Sequence, residues 1–173
     1  DFAYKEHFDL IAKIHPNNDK EKLELEVIDE AKCQDKGFVY VFVIESKIFK
    51  IGQSISNIKE RIQSYNCGKT EYRINGTNST TNYFVLQSLL KINKEILVYA
   101  FFPQKPRYEI FGQVFEDSYP PSKKAENIII TDFIKKHGKR PIGCTQTWLS
   151  HDFVILFNFM PTRNFRGVNV ARF

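Results

Sequence analysis

The sequence predicts an α+β fold in which a small antiparallel sheet is flanked by helices, and three observations predict it. Residues 38–44 and 47–51 are β-branched and aromatic runs joined by a short polar connection, as in a hairpin. A third run of the same kind covers residues 96–102. Between and after these runs lie segments with apolar residues at helical spacing, several preceded by residues able to cap a helix N-terminus.

Taken in order, Phe2, Phe8, Leu10, Ile11 and Ile14 recur at roughly helical spacing and Pro16 ends the pattern, so residues 2–15 are expected as a helix. Asn18 or Asp19 can cap a second helix running to about residue 32, which makes residues 1–32 an N-terminal helical extension. The runs FVYVFVI and KIFKI then form the hairpin, with Glu45, Ser46 and Lys47 supplying its connection. Ser54 or Ser56 can cap a helix through about Tyr65. The stretch NCGKTEYRINGTNSTTN, residues 66–82, is rich in Asn, Gly, Ser and Thr and reads as a long loop. FVLQSLLKI returns to helix and leads into the strand at 96–102. Residues 107–115 read as an inserted hairpin around the turn pair Phe111-Gly112, and Pro120-Pro121 precede a Ser122-capped helix to about His137. No internal repeat is visible.

At 173 residues, with 42% hydrophobic and 14% aromatic content, the chain is expected to form a single domain with a packed core. A core of about 36–147 carries the hairpins, and residues 148–173 form a C-terminal tail of high aromatic density. No run of roughly eighteen apolar residues occurs, which excludes a membrane-spanning helix. Asp1 in place of Met implies a natural start further upstream. Cys33, Cys67 and Cys144 are odd in number, scattered and without a C-x-x-C pair, which fits reduced thiols in the cytoplasm better than a disulfide frame or a zinc site.

A net charge of +5 and a pI near 9.0 favour a polyanionic partner. The excess is concentrated late: Lys123, Lys124, Lys135, Lys136, Lys139 and Arg140 outnumber Glu126 and Asp132. A solvated helix face is the ordinary explanation of such a run. The four histidines have no H-x-x-x-H spacing and no G-x-S-x-G elbow occurs, so histidine-based and serine hydrolase chemistry are set aside.

The hairpin and the helix after it carry a further pattern. FVY at residues 38–40 ends the first strand, KIG at 50–52 ends the second, Arg61 follows nine residues later, and Glu126 lies in SKKAENIIITDF. In this order the motifs resemble the GIY-YIG nuclease superfamily. Tyr65 in R-x-x-x-Y, together with the SYNCGK and GCTQT segments, makes residues 30–147 look like the compact type II restriction endonucleases of that superfamily. Two departures stand out: Phe38 occupies the first Gly of the first triplet, although Gly37 precedes it, and Lys50 replaces the Tyr of the second.

The resemblance implies a magnesium-dependent, site-specific deoxyribonuclease acting on double-stranded DNA. Its catalytic residues would be Tyr40, Lys50, Arg61, Tyr65 and Glu126. Arg61 suits the scissile phosphate because its planar fork matches phosphate geometry and stays cationic. Glu126 is a hard oxygen ligand for one Mg²⁺ per active site, held mostly by water. Tyr40 would orient or deprotonate the attacking water, and Lys50 would either lower the Tyr40 pKa or accept the proton itself. Tyr65 would bond a phosphate oxygen. DNA contacts are expected from Lys69, Arg73 and Asn75 in the polar loop, from Arg107 and Gln113 on the inserted hairpin, and from Lys123 and Lys124. A double-strand break at a symmetric site implies a homodimer within a restriction-modification system. Two alternatives stand beside this reading: a non-cleaving nucleic-acid-binding module on the same scaffold, favoured by Lys50, and a repair or homing nuclease.

Overall fold

The computed structural model describes residues 4–17, 22–66, 78–92 and 94–144. A short helix α1 (Tyr4–His7) leads into β1 (Asp9–Asn17) and β2 (Lys22–Val27), then α2 (Glu30–Gln34), β3 (Phe38–Ile44), β4 (Lys47–Ser54), α3 (Ile58–Tyr65), α4 (Asn78–Lys91) and β5 (Ile96–Phe101). A separate hairpin, β6 (Arg107–Ile110) and β7 (Gln113–Glu116), precedes α5 (Ser122–His137) and a 3₁₀ turn, Ile142–Cys144. The main sheet has five strands in the order β2-β1-β5-β3-β4, every neighbouring pair antiparallel.

All seven residues of β3 are buried, which accounts for its unbroken apolar sequence. Phe38, Tyr40 and Phe42 face one core with Ile58, Ile62 and Tyr65 of α3 and Leu86 and Leu90 of α4. Val39, Val41 and Val43 face the other, with Ile51 and with Phe133 of α5. Strand side chains alternate between faces, so one strand serves both layers. The β3–β4 connection is a two-residue turn with positive φ at Glu45 (47°) and Ser46 (63°), and Ile44 pairs with Lys47 directly across it.

The expected pair of N-terminal helices is instead a strand hairpin. In β2 the residues Leu23, Leu25 and Val27 alternate with Glu24 and Glu26, a two-residue period masked by residue types that are strong helix formers. In β1 a register shift between Leu10 and Ala12 lets the adjacent Ile11 and Ala12 both join Ile14 in one core, so the buried positions do not alternate, and the spacing of Phe8, Ile11 and Ile14 in the sequence imitates a helix. Packing of β1 between β2 and β5 overrides the local propensity. Asp9–Asn17 and Lys22–Val27 are therefore strands of the sheet rather than helices of an N-terminal extension, and the short helices α1 and α2 flank them.

Other boundaries also differ from expectation. Asn57, not Ser54 or Ser56, caps α3: its Oδ1 accepts from the Glu60 backbone N–H at 2.9 Å while its Nδ2 donates to Glu60 Oε1 at 3.1 Å. Ser54 belongs to β4 and its hydroxyl accepts from the Ser56 N–H at 3.2 Å. The polar stretch at 66–82 is helical from Asn78 onward. Pro121 holds the N-cap position of α5 without a side-chain bond, and Ser122 Oγ donates instead to Gln53 Oε1 at 3.0 Å, tying the start of α5 to β4.

At the end of α3, Asn66 clasps β2. Its Oδ1 accepts from Leu23 N at 2.8 Å and its Nδ2 donates to Leu23 O at 3.2 Å, both buried. The β6–β7 hairpin turns through Phe111 (φ 49°) and Gly112 (φ 77°) as expected, and every residue of both strands is exposed. Among the described residues no helix is long and apolar enough to cross a membrane. The tail at 148–173 lies outside the described residues.

Candidate active site

Tyr40 projects from β3 toward α3, where Arg61 and Tyr65 stand one helical turn apart. The three polar ends meet. Arg61 donates to Tyr40 Oη from Nε at 3.0 Å and from Nη2 at 2.8 Å, and Nη2 reaches Tyr65 Oη at 3.3 Å. The two phenolic oxygens are 2.6 Å apart. The guanidinium carbon lies 5.4 Å from the Tyr40 ring centre and 4.8 Å from that of Tyr65, so the cation also rests over both rings. Nη1 turns outward to Ser64 Oγ at 3.1 Å.

This arrangement explains Gly52. Gly52 pairs with Tyr40, and a Cβ there would stand 2.3 Å from Tyr40 Oη and 2.4 Å from Cζ. Only glycine lets the Tyr40 ring cross β4. Gly37 has a comparable constraint, with a φ of 77° and Pro120 Cδ 2.5 Å from the place of its absent Cβ. The glycine ahead of β3 is thus at residue 37, with Phe38 free to enter the core.

Burial holds the Tyr40 phenol above its ordinary range and outweighs the lowering effect of Arg61 and of the Tyr65 hydrogen bond. Tyr65 is pushed well above its ordinary range, again chiefly by burial. Lys50 behaves oppositely: burial lowers its amine, Cys144 raises it, Arg61 lowers it and Glu126 raises it. The expectation that Lys50 depresses Tyr40 is not what the structure displays, because the cation acting on Tyr40 is Arg61 and the phenol is raised.

Lys50 and Gly52 alternate onto the same face of β4, where Lys50 pairs with Phe42 and Gly52 with Tyr40, so Lys50 is the diagonal cross-strand neighbour of Tyr40. It also lines a cavity of about 380 Å³ at the free edge of β4. The walls come from Lys50 and Ile51 of β4, Asn82 of α4, one face of α5, and Arg140, Gly143 and Cys144 after it. On α5 that face carries Lys123, Glu126, Asn127, Ile130, Thr131 and Ile134, the three-and-four spacing of one helical stripe. Glu126 is largely covered, its side chain 12% exposed, and accepts from Lys123 Nζ at 2.6 Å. Lys50 Nζ donates to Gly143 O at 2.6 Å.

The predicted residues therefore fall into two adjoining groups. Tyr40, Arg61 and Tyr65 form the buried cluster, and Lys50, Glu126 and Lys123 line the cavity. Lys124 is exposed on α5 away from the lining stripe. Arg107 and Gln113 sit on the exposed hairpin rather than at the cavity, with Arg107 Nε donating to Glu116 Oε1 at 3.3 Å. Lys69, Arg73 and Asn75 lie outside the described residues. Asn82, Arg140, Gly143 and Cys144 join the cavity although sequence reasoning does not place them there. Only the α5 stripe, with Asn127 and Thr131, has a local signal in the sequence, since the others arrive from remote segments.

The cavity offers one hard oxygen donor of carboxylate type among the cationic side chains of Lys50, Lys123 and Arg140. Glu126 supplies one carboxylate, and no group of three or more His, Cys, Asp or Glu residues that could cage a metal exists among the described residues. One carboxylate is enough to hold a divalent ion that keeps most of its water as ligands.

No protein-family model and no curated protein matches the chain. Among solved structures, restriction endonuclease HPY188I in complex with product DNA is similar at 63% identity, covering 85% of this chain and 85% of that one, with a TM-score of 0.57. A variant of bacteriophage T4 EndoII is similar in fold at 15% identity, covering 78% of this chain and 92% of that one, with a TM-score of 0.55.

Proposed function

The chain belongs to the restriction endonuclease family represented by HPY188I, and from that premise we propose that it is a type II restriction endonuclease of the GIY-YIG kind, hydrolysing double-stranded DNA at a short symmetric site. The observation that carries this reading is 63% identity across 85% of the chain to an endonuclease held with its product DNA. The adjoining placement of Tyr40, Arg61 and Tyr65 with Lys50 and Glu126 supports it.

In the proposed mechanism each residue meets one need of phosphodiester hydrolysis. The outward Nη1 edge of Arg61, now on the exposed Ser64 hydroxyl, binds the scissile phosphate and the charge that grows on it. Tyr40, its oxygen fixed by two Arg61 donors, orients the attacking water. The water's proton passes to the Lys50 amine, because burial lowers the lysine and raises the phenol, which makes the amine the readier acceptor. Tyr65 fixes the rotation of Tyr40 through their shared hydrogen bond. Glu126 would hold one Mg²⁺, which would supply Lewis-acid stabilisation of the departing 3′ oxygen.

A double-strand break at a symmetric site needs two copies of this site, so the working species is a homodimer on DNA. The positive residues Lys123 and Arg140 at the cavity rim attract the backbone. Incubating the purified protein with plasmid and Mg²⁺ tests the function. Discrete fragments of reproducible size are expected, and intact plasmid across a panel of unmethylated DNAs would refute the cleaving reading in favour of a binding module.

A further inference from the structure

We propose that the Ile142–Cys144 turn is a positioning element for Lys50, with Gly143 aiming the amine through its carbonyl and Cys144 fixing the strand that carries it. The inference rests on the reading of Lys50 as the proton acceptor.

Among the described residues β4 is the last strand of the sheet, so on its free side the backbone has no strand partner there. Cys144 supplies one. Ile51 N–H donates to Cys144 Sγ at 3.2 Å, and the thiol donates to Ile51 O at 3.0 Å. Both outward groups of Ile51 are thereby satisfied by a single side chain. Burial raises the Cys144 thiol, which keeps the proton needed for the second bond. The residue clipped in this way is the immediate neighbour of Lys50.

Gly143 completes the device. Its carbonyl accepts from Lys50 Nζ at 2.6 Å. One amine N–H held by this carbonyl leaves the other tetrahedral positions of nitrogen, including the lone pair of the neutral form, directed elsewhere. The cavity shared with Glu126 is the open space beside it. A lysine on four rotatable bonds loses its free motion, and the acceptor is oriented by a neutral carbonyl rather than by an ion pair.

The turn can approach this closely only because residue 143 lacks a side chain. A Cβ there would stand 2.9 Å from Lys50 Cβ, 3.0 Å from Phe49 Cε1 and 3.1 Å from Phe49 O. Gly143 has no positive φ. Proximity to β4, rather than turn geometry, is what requires glycine there.

The test is a double-mutant cycle on the full-length protein, reading single-turnover plasmid cleavage in Mg²⁺ and duplex binding in Ca²⁺. Gly143→Ala is expected to slow cleavage by on the order of 10²-fold, as small misplacements of catalytic groups do, with DNA affinity unchanged. Added to Lys50→Met it should cost little more than Lys50→Met alone, because the amine it aims is already gone. Cys144→Ala should act in the same direction, and Cys144→Ser, which keeps a donor and acceptor, should recover part of the loss. Wild-type cleavage by Gly143→Ala, or a fully additive loss in the double variant, overturns the positioning role. If Lys50→Met itself cleaves at the wild-type rate, it is the reading of Lys50 as acceptor that fails.

Discussion

Arg61 directs two of its N–H donors at a single oxygen, Tyr40 Oη, at 3.0 and 2.8 Å. The two residues are 21 apart in the chain and meet under the cover of α3. Lysine cannot reproduce this, since its ammonium is a point charge without a planar fork. Arg61→Lys is expected to lower single-turnover cleavage by roughly 10²–10³-fold, the range for loss of one transition-state donor. Thermal unfolding should show a smaller cost of about 1–3 kcal/mol from the buried phenol left short of a partner. A variant that cleaves normally would remove Arg61 from the mechanism.

Glu126 is the only cavity-lining carboxylate among the described residues. Glu126→Ala should abolish cleavage while leaving duplex binding in EDTA or Ca²⁺ nearly intact, as measured by gel shift alongside the cleavage assay. Titrating Mg²⁺ against the wild-type protein should restore activity after EDTA. Full activity of the alanine variant would end the metal-ligand assignment.

The proton path has a sign that pH can read. Lys50 is lowered from the ordinary lysine range, so its neutral form gains population as pH rises through a value below that range. Wild-type single-turnover rates should climb with pH over that window, and the climb should vanish in Lys50→Met. The variant should be slower by roughly 10²–10⁴-fold, the usual cost of losing a general base. Tyr40→Phe should fall in a similar range, and Tyr40→Phe with Lys50→Met should lose little beyond the worse single variant. An unchanged pH profile in Lys50→Met would reduce this lysine to a strand residue.

The same lowered pKa affects stability with a definite sign. A group whose folded pKa lies below its unfolded value weakens the fold as pH falls from the unfolded value toward the folded one, because the unfolded chain binds the proton more readily. Lys50→Met removes this penalty. The stability difference between variant and wild type should therefore shift in the variant's favour on going from about pH 10, near the ordinary lysine pKa, to neutral pH, in parallel denaturant titrations.

Stoichiometry on DNA separates the dimeric mechanism from its rivals. Sedimentation of the protein with a cognate duplex in Ca²⁺ should show two protomers per site. One protomer per site combined with concerted double-strand cleavage would contradict it.

Much of the site is legible in the sequence. The β3 and β4 runs, the turn at Glu45, Arg61 and Tyr65 one turn apart, and the helix from Ser122 to His137 that carries Glu126 all follow from local pattern. The N-terminal hairpin is not, because two local signals conflict there. Leu23, Leu25 and Val27 alternate as a strand does, yet Glu, Leu and Lys favour helix, and in β1 the register shift puts Ile11 with Ala12 and Ile14 in one core, which breaks the two-residue period a strand would display.

By itself, then, the sequence determined which segments of the catalytic core pair or coil, and it placed a Tyr, a Lys, an Arg and a Glu on those segments. Only the tertiary structure decided that Arg61 and not Lys50 attends Tyr40, that Gly52 must clear the Tyr40 ring, and that Gly143 holds Lys50 from 93 residues away. The physical reason is reach. Propensity and periodicity act over a few neighbours along the chain, whereas burial and the hydrogen-bond partner of each polar end depend on which strand lies at the sheet edge and what closes over it.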